Sequence, residues 1–207
     1  YMTNLEYFIN TEKHQSFEKQ IDPDIEVLLD ETSDPLIKTA IMHAQFESIH
    51  PFLDGNGRMG RILIVLSTMQ DGLIDKPVFF VSEELEKERL RYYNLLNGVR
   101  GKNPDWFSWI EFFLDACQRM ATSLLNRLES INELATSGAK RINSDRNVIN
   151  QIWVMTFLKP YLTVSEVAKH LDIAVSTARR DLNTLVELKL IDVDNSKRKN
   201  KVYVNYD

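Results

Sequence analysis

A histidine, a carboxylate, three glycines and two arginines fall within the stretch His50-Pro51-Phe52-Leu53-Asp54-Gly55-Asn56-Gly57-Arg58-Met59-Gly60-Arg61. An imidazole titrates near neutrality, so His50 can accept the proton of an attacking hydroxyl. A lone carboxylate beside phosphates is the usual way to hold Mg²⁺, which suits Asp54. Gly55 and Gly57 flank Asn56, permit positive φ and let successive backbone N–H groups face one point. A helix starting there adds the positive end of its dipole. Arg58 and Arg61, three residues apart, project from nearly the same helix face, and a planar guanidinium matches phosphate oxygens. The chemistry this suggests is a metal-bound nucleotide attacked by an alcohol.

These groups need two helices and a turn. Pro51 disfavours helical geometry at His50, so His50 should stand where a helix ends. That helix is expected from Pro35, capped by Asp34, with Ile37, Ile41 and Ala44 at helical spacing. A second helix is expected from Asn56–Arg58 through Ile62, Leu63, Val65, Leu66 and Met69, with Gly72 as terminator. It is apolar nearly all round and is therefore expected at the centre of the domain, with Phe52 a buried peg fixing the loop. Ser82 should cap another helix, and Asn103-Pro104 should open a long one carrying Trp106, Trp109, Phe112, Phe113 and Cys117 to about Leu134. Tyr92, Tyr93, Trp106 and Trp109 read first as helix-packing aromatics. His43, Glu47 and His50 share a helical face as metal ligands would, but the order is not H-E-x-x-H and Pro51 displaces His50.

The 207 residues suffice for a medium domain and a small one. Hydrophobic content of 43% with ten Phe and seven Tyr calls for a packed core rather than disorder, and few Gly and Pro favour helices. The single cysteine, Cys117, cannot form an internal disulfide, which fits a reducing, cytoplasmic setting. No apolar run reaches membrane-spanning length and no signal peptide is visible. The chain opens at Tyr1 with Leu5, Phe8 and Ile9 on one helical face, which suggests a truncated N-terminus or a tag scar. Charge is uneven: residues 1–145 carry 15 basic and 23 acidic side chains, net −8, and residues 146–207 carry 10 and 7, net +3, together the −5 of the chain. Two modules with different partners would produce that split.

The stretch fits H-x-F-x-[DE]-G-N-G-R-x-x-R at all eight specified positions. It resembles the Fic family, whose members mostly transfer AMP from ATP to hydroxyl side chains of other proteins. The resemblance implies His50 as general base, Asp54 as Mg²⁺ ligand, and a nucleotide cradle of Gly55, Asn56, Gly57, Arg58 and Arg61. Arg58 would meet the inner phosphates, Arg61 the terminal one, and Asn56 would lie near the α-phosphate. ATP and Mg²⁺ are the implied cofactors, and a Ser, Thr or Tyr of a target protein, or of the chain itself, the acceptor. The family's target-docking flap is expected upstream of Tyr1. Its inhibitory string [ST]-x-x-x-E-[GN] is not matched, since Ser82-x-x-x-Glu86-Lys87 fails at the last position. AMP removal, or transfer of another phosphate-containing group, is the alternative chemistry for the same residues.

Residues 136–146 are small and polar and read as a linker. Beyond them, helices at about 147–158, 165–171 and 176–188 and strands at 191–193 and 201–206 resemble a winged helix-turn-helix domain, with Val167, Leu171, Leu182 and Leu185 in its core. Ser176 would cap the recognition helix. Thr177, Arg179 and Arg180 near its start, and Lys197, Arg198 and Lys199 in the wing, would meet double-stranded DNA. Such modules also serve as protein–protein contacts and homodimer interfaces. The expected architecture is mainly α: a Fic-type helical domain over 1–135, a linker over 136–146, and a winged helix-turn-helix domain of three helices and a β-hairpin over 147–207. The expected function is a protein adenylyltransferase; the alternative is a nucleotide-sensing, DNA-binding transcriptional regulator.

Overall fold

The computed structural model describes residues 1–10, 34–143, 147–194 and 201–206. It divides into two compact units, Tyr1–Leu125 and Asn126–Asp207. Among the described residues, the first unit contains α1 (Met2–Asn10), α2 (Pro35–Ile49), α3 (Asn56–Gln70), α4 (Ser82–Lys87), α5 (Arg89–Gly98) and the first part of α6 (Trp106–Ile142). No helix among them is long and apolar enough to cross a membrane.

α2 begins as its sequence dictates. Pro35 occupies the first turn, and the Asp34 carboxylate accepts from the N–H groups of Leu36 (2.8 Å) and Ile37 (3.3 Å). It is α2, not α3, that lies innermost: Thr39, Ala40, Met42, His43, Ala44, Phe46 and Glu47 are all buried. α3 leaves Met59, Ile62 and Leu66 exposed and turns Gly60, Ile64, Val65, Ser67 and Thr68 inward. The reason is closeness of approach. A Cβ on Gly60 would sit 2.6 Å from Glu47 Oε1 and 3.1 Å from His43 Cε1, so only glycine fits there. One turn and more beyond, the Thr39 and Ser67 hydroxyls meet at 3.1 Å. The buried side of α3 thus mixes small residues, where the approach to α2 is closest, with Ile64, which joins Ala40 and Ala44 in the core.

The core beneath them gathers Ala40, Ala44, Ile64, Leu85, Tyr92, Leu96, Trp109, Phe112, Phe113 and Cys117. The Trp109 indole N–H is satisfied by the Ala40 carbonyl at 2.9 Å. A smaller cluster joins Leu5 to Met42 and Phe46. Two expected helix starts differ. Ser82 is the first residue of α4, whose cap is Val81, and its side chain makes no cap bond. The long helix starts at Trp106, where Asp105 accepts from Ser108 N–H (3.1 Å), so the cap lies two residues beyond Asn103.

In the second unit, α6 continues to Ile142, so residues 136–142 of the expected linker are the last turns of a helix. The small residue that suggested a linker has a packing role. A Cβ on Gly138 would lie 2.4 Å from Trp153 Cζ2, and the Trp153 indole donates to the Ala135 carbonyl at 2.9 Å. The unit continues with α7 (Asn147–Leu158), β1 (Tyr161–Thr163), α8 (Val164–His170), α9 (Val175–Glu187), β2 (Asp192–Asp194) and β3 (Val202–Val204). Val167, Leu182 and Leu185 are buried in its core with Trp153 and Tyr203, and Leu171 is partly buried against them. The sheet has three strands in the order β1-β3-β2, both pairings antiparallel, with Leu162 and Val193 opposite Tyr203. The expected hairpin thus gains β1, three residues too short to show alternation.

Candidate functional site

His50 is the C-cap of α2, in the left-handed region at φ 49°, ψ 59°, with its N–H bonded to the Phe46 carbonyl at 3.0 Å. Pro51 makes the helix stop there, and the imidazole is left exposed. The turn that follows is tied by Asn56, whose side chain is buried. Phe52 N–H donates to Asn56 Oδ1 (2.9 Å), and Asn56 Nδ2 donates to the Phe52 carbonyl (2.6 Å). This corrects one expectation. Phe52 is 49% exposed and only leans towards Phe46, with ring centroids 6.4 Å apart. The peg is Asn56, because an amide can satisfy both main-chain groups of the turn whereas a phenyl ring satisfies neither. Its side chain is spent within the loop rather than aimed outward.

Gly55 is the N-cap of α3 at φ 84°, and no side chain caps that helix end. The first N–H groups of α3 therefore face outward as a site for an anion. Asp54 Oδ1 accepts from Gly55 N–H at 2.7 Å. Its Oδ2 lies 3.6 Å from Arg58 Nη2, in a pair so exposed (94% and 77%) that it contributes little, about 0–1 kcal/mol. A solvent-facing carboxylate oxygen beside an uncapped helix end suits a Mg²⁺ that takes one protein ligand and completes its shell with waters and phosphates. Arg61 is only 23% exposed and meets Glu86 Oε1 at 3.3 Å. That pairing exists although Ser82-x-x-x-Glu86-Lys87 fails the inhibitory string.

Two groups under the loop carry shifted titrations. Burial lowers His43 to about 4, which keeps it neutral, and its Nε2 lies 2.9 Å from the Tyr92 hydroxyl. Burial raises Glu47, against the opposing pull of His50, Arg61 and Arg100. His43 and Glu47 are packed against Gly60 while His50 is exposed, and no cluster of three metal-ligating side chains occurs among the described residues. Tyr92 and Trp109 are buried, as packing aromatics should be, whereas Tyr93 is exposed. Sequence reasoning missed Gly60 and Arg100 and set Glu86 aside. Gly60 carried a signal as a glycine inside a helical pattern, and Glu86 one in the incomplete string from Ser82.

In the second unit, α9 starts at Val175 with Ala174 as its cap, so Ser176 lies inside the helix and caps nothing. Arg179 is exposed, Thr177 half-buried, and Arg180 Nε donates to the buried Asp181 carboxylate at 3.1 Å. Lys197, Arg198 and Lys199 lie outside the described residues.

Residues 2–67 match the model of the Fic/DOC family, and residues 149–192 that of a DeoR-like helix-turn-helix domain. A probable protein adenylyltransferase of Aquifex aeolicus (strain VF5) is 48% identical over 46 residues, 22% of this chain and 14% of that protein. The protein adenylyltransferase fic-1 of Caenorhabditis elegans is 39% identical over 66 residues, 32% of this chain and 12% of that one. The matched stretches are thus a small part of both relatives. A crystal structure of a Fic family protein from Desulfovibrio desulfuricans G20 superposes with a TM-score of 0.46 at 22% identity, covering 87% of this chain and 52% of that chain.

Proposed function

From a chain whose residues 2–67 match the Fic/DOC family and whose residues 149–192 match a DeoR-like helix-turn-helix domain, we propose a protein adenylyltransferase that uses ATP. The carrying observation is the pairing of an exposed imidazole at the end of α2 with an uncapped helix start across one short turn. Names of relatives point the same way: the Caenorhabditis elegans relative is called a protein adenylyltransferase and the Aquifex aeolicus one a probable protein adenylyltransferase.

In the proposed reaction, the triphosphate lies on the N-terminal end of α3, with Arg58 and Arg61 on its oxygens. Arg61 must exchange Glu86 for phosphate, a small loss because the carboxylate is 42% exposed. Asp54 would hold Mg²⁺, which supplies charge neutralisation on the phosphates. A Ser, Thr or Tyr hydroxyl of a target protein, or of this chain, gives its proton to the His50 ring. Its oxygen forms a bond to the α-phosphorus, the bond from that phosphorus to the β-phosphate oxygen breaks, and pyrophosphate leaves. On an AMP-modified protein the same residues would suit AMP removal by hydrolysis: a water gives its proton to His50, its oxygen bonds the phosphorus, and the protein oxygen leaves and takes up a proton. A reducing, cytoplasmic compartment suits the lone Cys117, whose buried thiol is pushed up to about 12 and so kept unreactive.

The test is intact mass after incubation with ATP and Mg²⁺, alone and with cell proteins. Wild type should add one AMP to itself or to a target, and His50→Ala should not. A second reading, a nucleotide-sensing DNA-binding regulator, is favoured by the DeoR-like match and the exposed Arg179 at the start of α9. It predicts salt-dependent duplex binding that Arg179→Ala weakens. No transfer in any wild-type sample, together with such binding, would move the assignment to that reading.

A further inference from the structure

A helix ends with carbonyls that lack intrahelical donors. At the end of α2 that shortage is sharpened, because the amide that would follow the helical pattern to the Glu47 carbonyl belongs to Pro51, which has no N–H. The orphan acceptor is one turn from the catalytic candidate, in the segment that sets where the His50 ring points. Its donor comes from far along the chain. Arg100 Nη2 donates to the Glu47 carbonyl at 2.9 Å, and Arg100 Nε donates to Ser48 Oγ at 3.3 Å. The same guanidinium is steadied on its own side by Asn97 Oδ1, which accepts from Nη1 at 3.2 Å. Ser48 Oγ in turn donates to the Ala44 carbonyl at 2.8 Å, so the brace reaches a full turn back into α2. Its positive charge also lies near the buried Glu47 side chain.

We propose that Arg100 is a positioning residue for the transfer reaction: it supplies the hydrogen-bond donor that Pro51 withholds and thereby fixes the last turn of α2 and the direction of His50. The twelve-residue pattern does not include it, and it acts on main chain and a serine rather than on substrate. The inference rests on the reading of His50 as base. A guanidinium suits the task because three of its N–H groups reach three acceptors in one plane; an ammonium supplies a point charge without that fork.

The experiment compares wild type, Arg100→Ala and Arg100→Lys in two measurements. Steady-state AMP transfer should show kcat falling roughly 10- to 100-fold in Arg100→Ala with KM for ATP within about twofold, and partial recovery in Arg100→Lys. Backbone amide exchange at His50, whose N–H bonds to the Phe46 carbonyl, should speed up about tenfold in Arg100→Ala while amides near Trp109 stay protected. Unchanged kcat, a raised KM with intact kcat, or unaltered exchange at His50 would each overturn the brace. Should wild type transfer no AMP at all, the functional reading falls alone, and the exchange result still decides the role of Arg100.

Discussion

The helices α3 and α8 begin in opposite ways. At α8, Thr163 Oγ1 accepts from Glu166 N–H (3.3 Å), and Thr163 N–H donates to the Glu166 carboxylate (2.9 Å), a reciprocal capping box. At α3, the cap is Gly55, with no side chain to offer, and the one carboxylate nearby is bonded to Gly55 itself. The first arrangement spends its polar groups on stability. The second leaves N–H groups free beside two arginines, where an anionic ligand can take the place of a cap. A missing side-chain cap is common to α4, α5 and α9 as well; what sets α3 apart is that its open end starts at a left-handed glycine, beside two arginines and one short turn from the His50 imidazole.

The sharpest break of that contrast is His50→Ala. Transfer should fall about 10²- to 10⁴-fold, read as AMP incorporated per minute. Thermal melting should shift by only a few degrees, since the ring is exposed and histidine already bears most of the left-handed backbone cost that alanine would bear. Loss of fold instead would make His50 structural.

The next effect lies under the open end. His43 is held at about 4, below its ordinary 6.5, so its neutral burial stabilises the unit fully above pH 6.5. That contribution is lost as pH falls from 6.5 towards 4, by up to about 3 kcal/mol. Glu47, raised by burial, acts in the opposite sense: its contribution is present below 4.5 and lost as pH rises through its folded value. Because the two oppose each other, the difference between two proteins decides: from pH 7 to pH 4.5 the denaturant midpoint of wild type should fall relative to that of His43→Gln. Parallel profiles would reject the assignment.

Gly60→Ala should destabilise the first unit by about 1–3 kcal/mol, because a methyl group cannot enter between Glu47 and His43 without moving them. Gly55→Asp, which sets a carboxylate where phosphate is expected, should raise KM for ATP roughly tenfold or more, and the positive φ of Gly55 adds backbone strain of about 1–2 kcal/mol. An unaltered KM would mean the nucleotide does not use this helix end. Thr163→Ala is the mild control: about 1 kcal/mol of stability lost from the second unit, and AMP transfer unchanged.

Much of the site could be read from local order. Pro51 announces the end of α2 at His50, and Asp34-Pro35 announces its start, because both effects act within a few residues. Partners decided by tertiary distance could not be read. Arg100 meets α2 across more than fifty residues of sequence, and nothing in either segment marks the pairing. Phe52 was misjudged because hydrophobicity alone favours burial, while the turn's unsatisfied main chain decided for Asn56. The aliphatic content of α3 points to a central helix, yet Ile62 and Leu66 are exposed and its inner side combines Ile64 and Val65 with Gly60, Ser67 and Thr68, since two helices approach most closely where side chains are smallest.

The indole seated in the Gly138 notch has a practical use. The chain holds three tryptophans, and Trp106 and Trp109 both belong to the other unit. With those two replaced by phenylalanine, Trp153 becomes a lone fluorophore pressed against bare backbone, and its emission would shift red as soon as water enters that crevice. Melting of the small C-terminal body could then be watched optically in the intact chain, separately from nucleotide chemistry elsewhere.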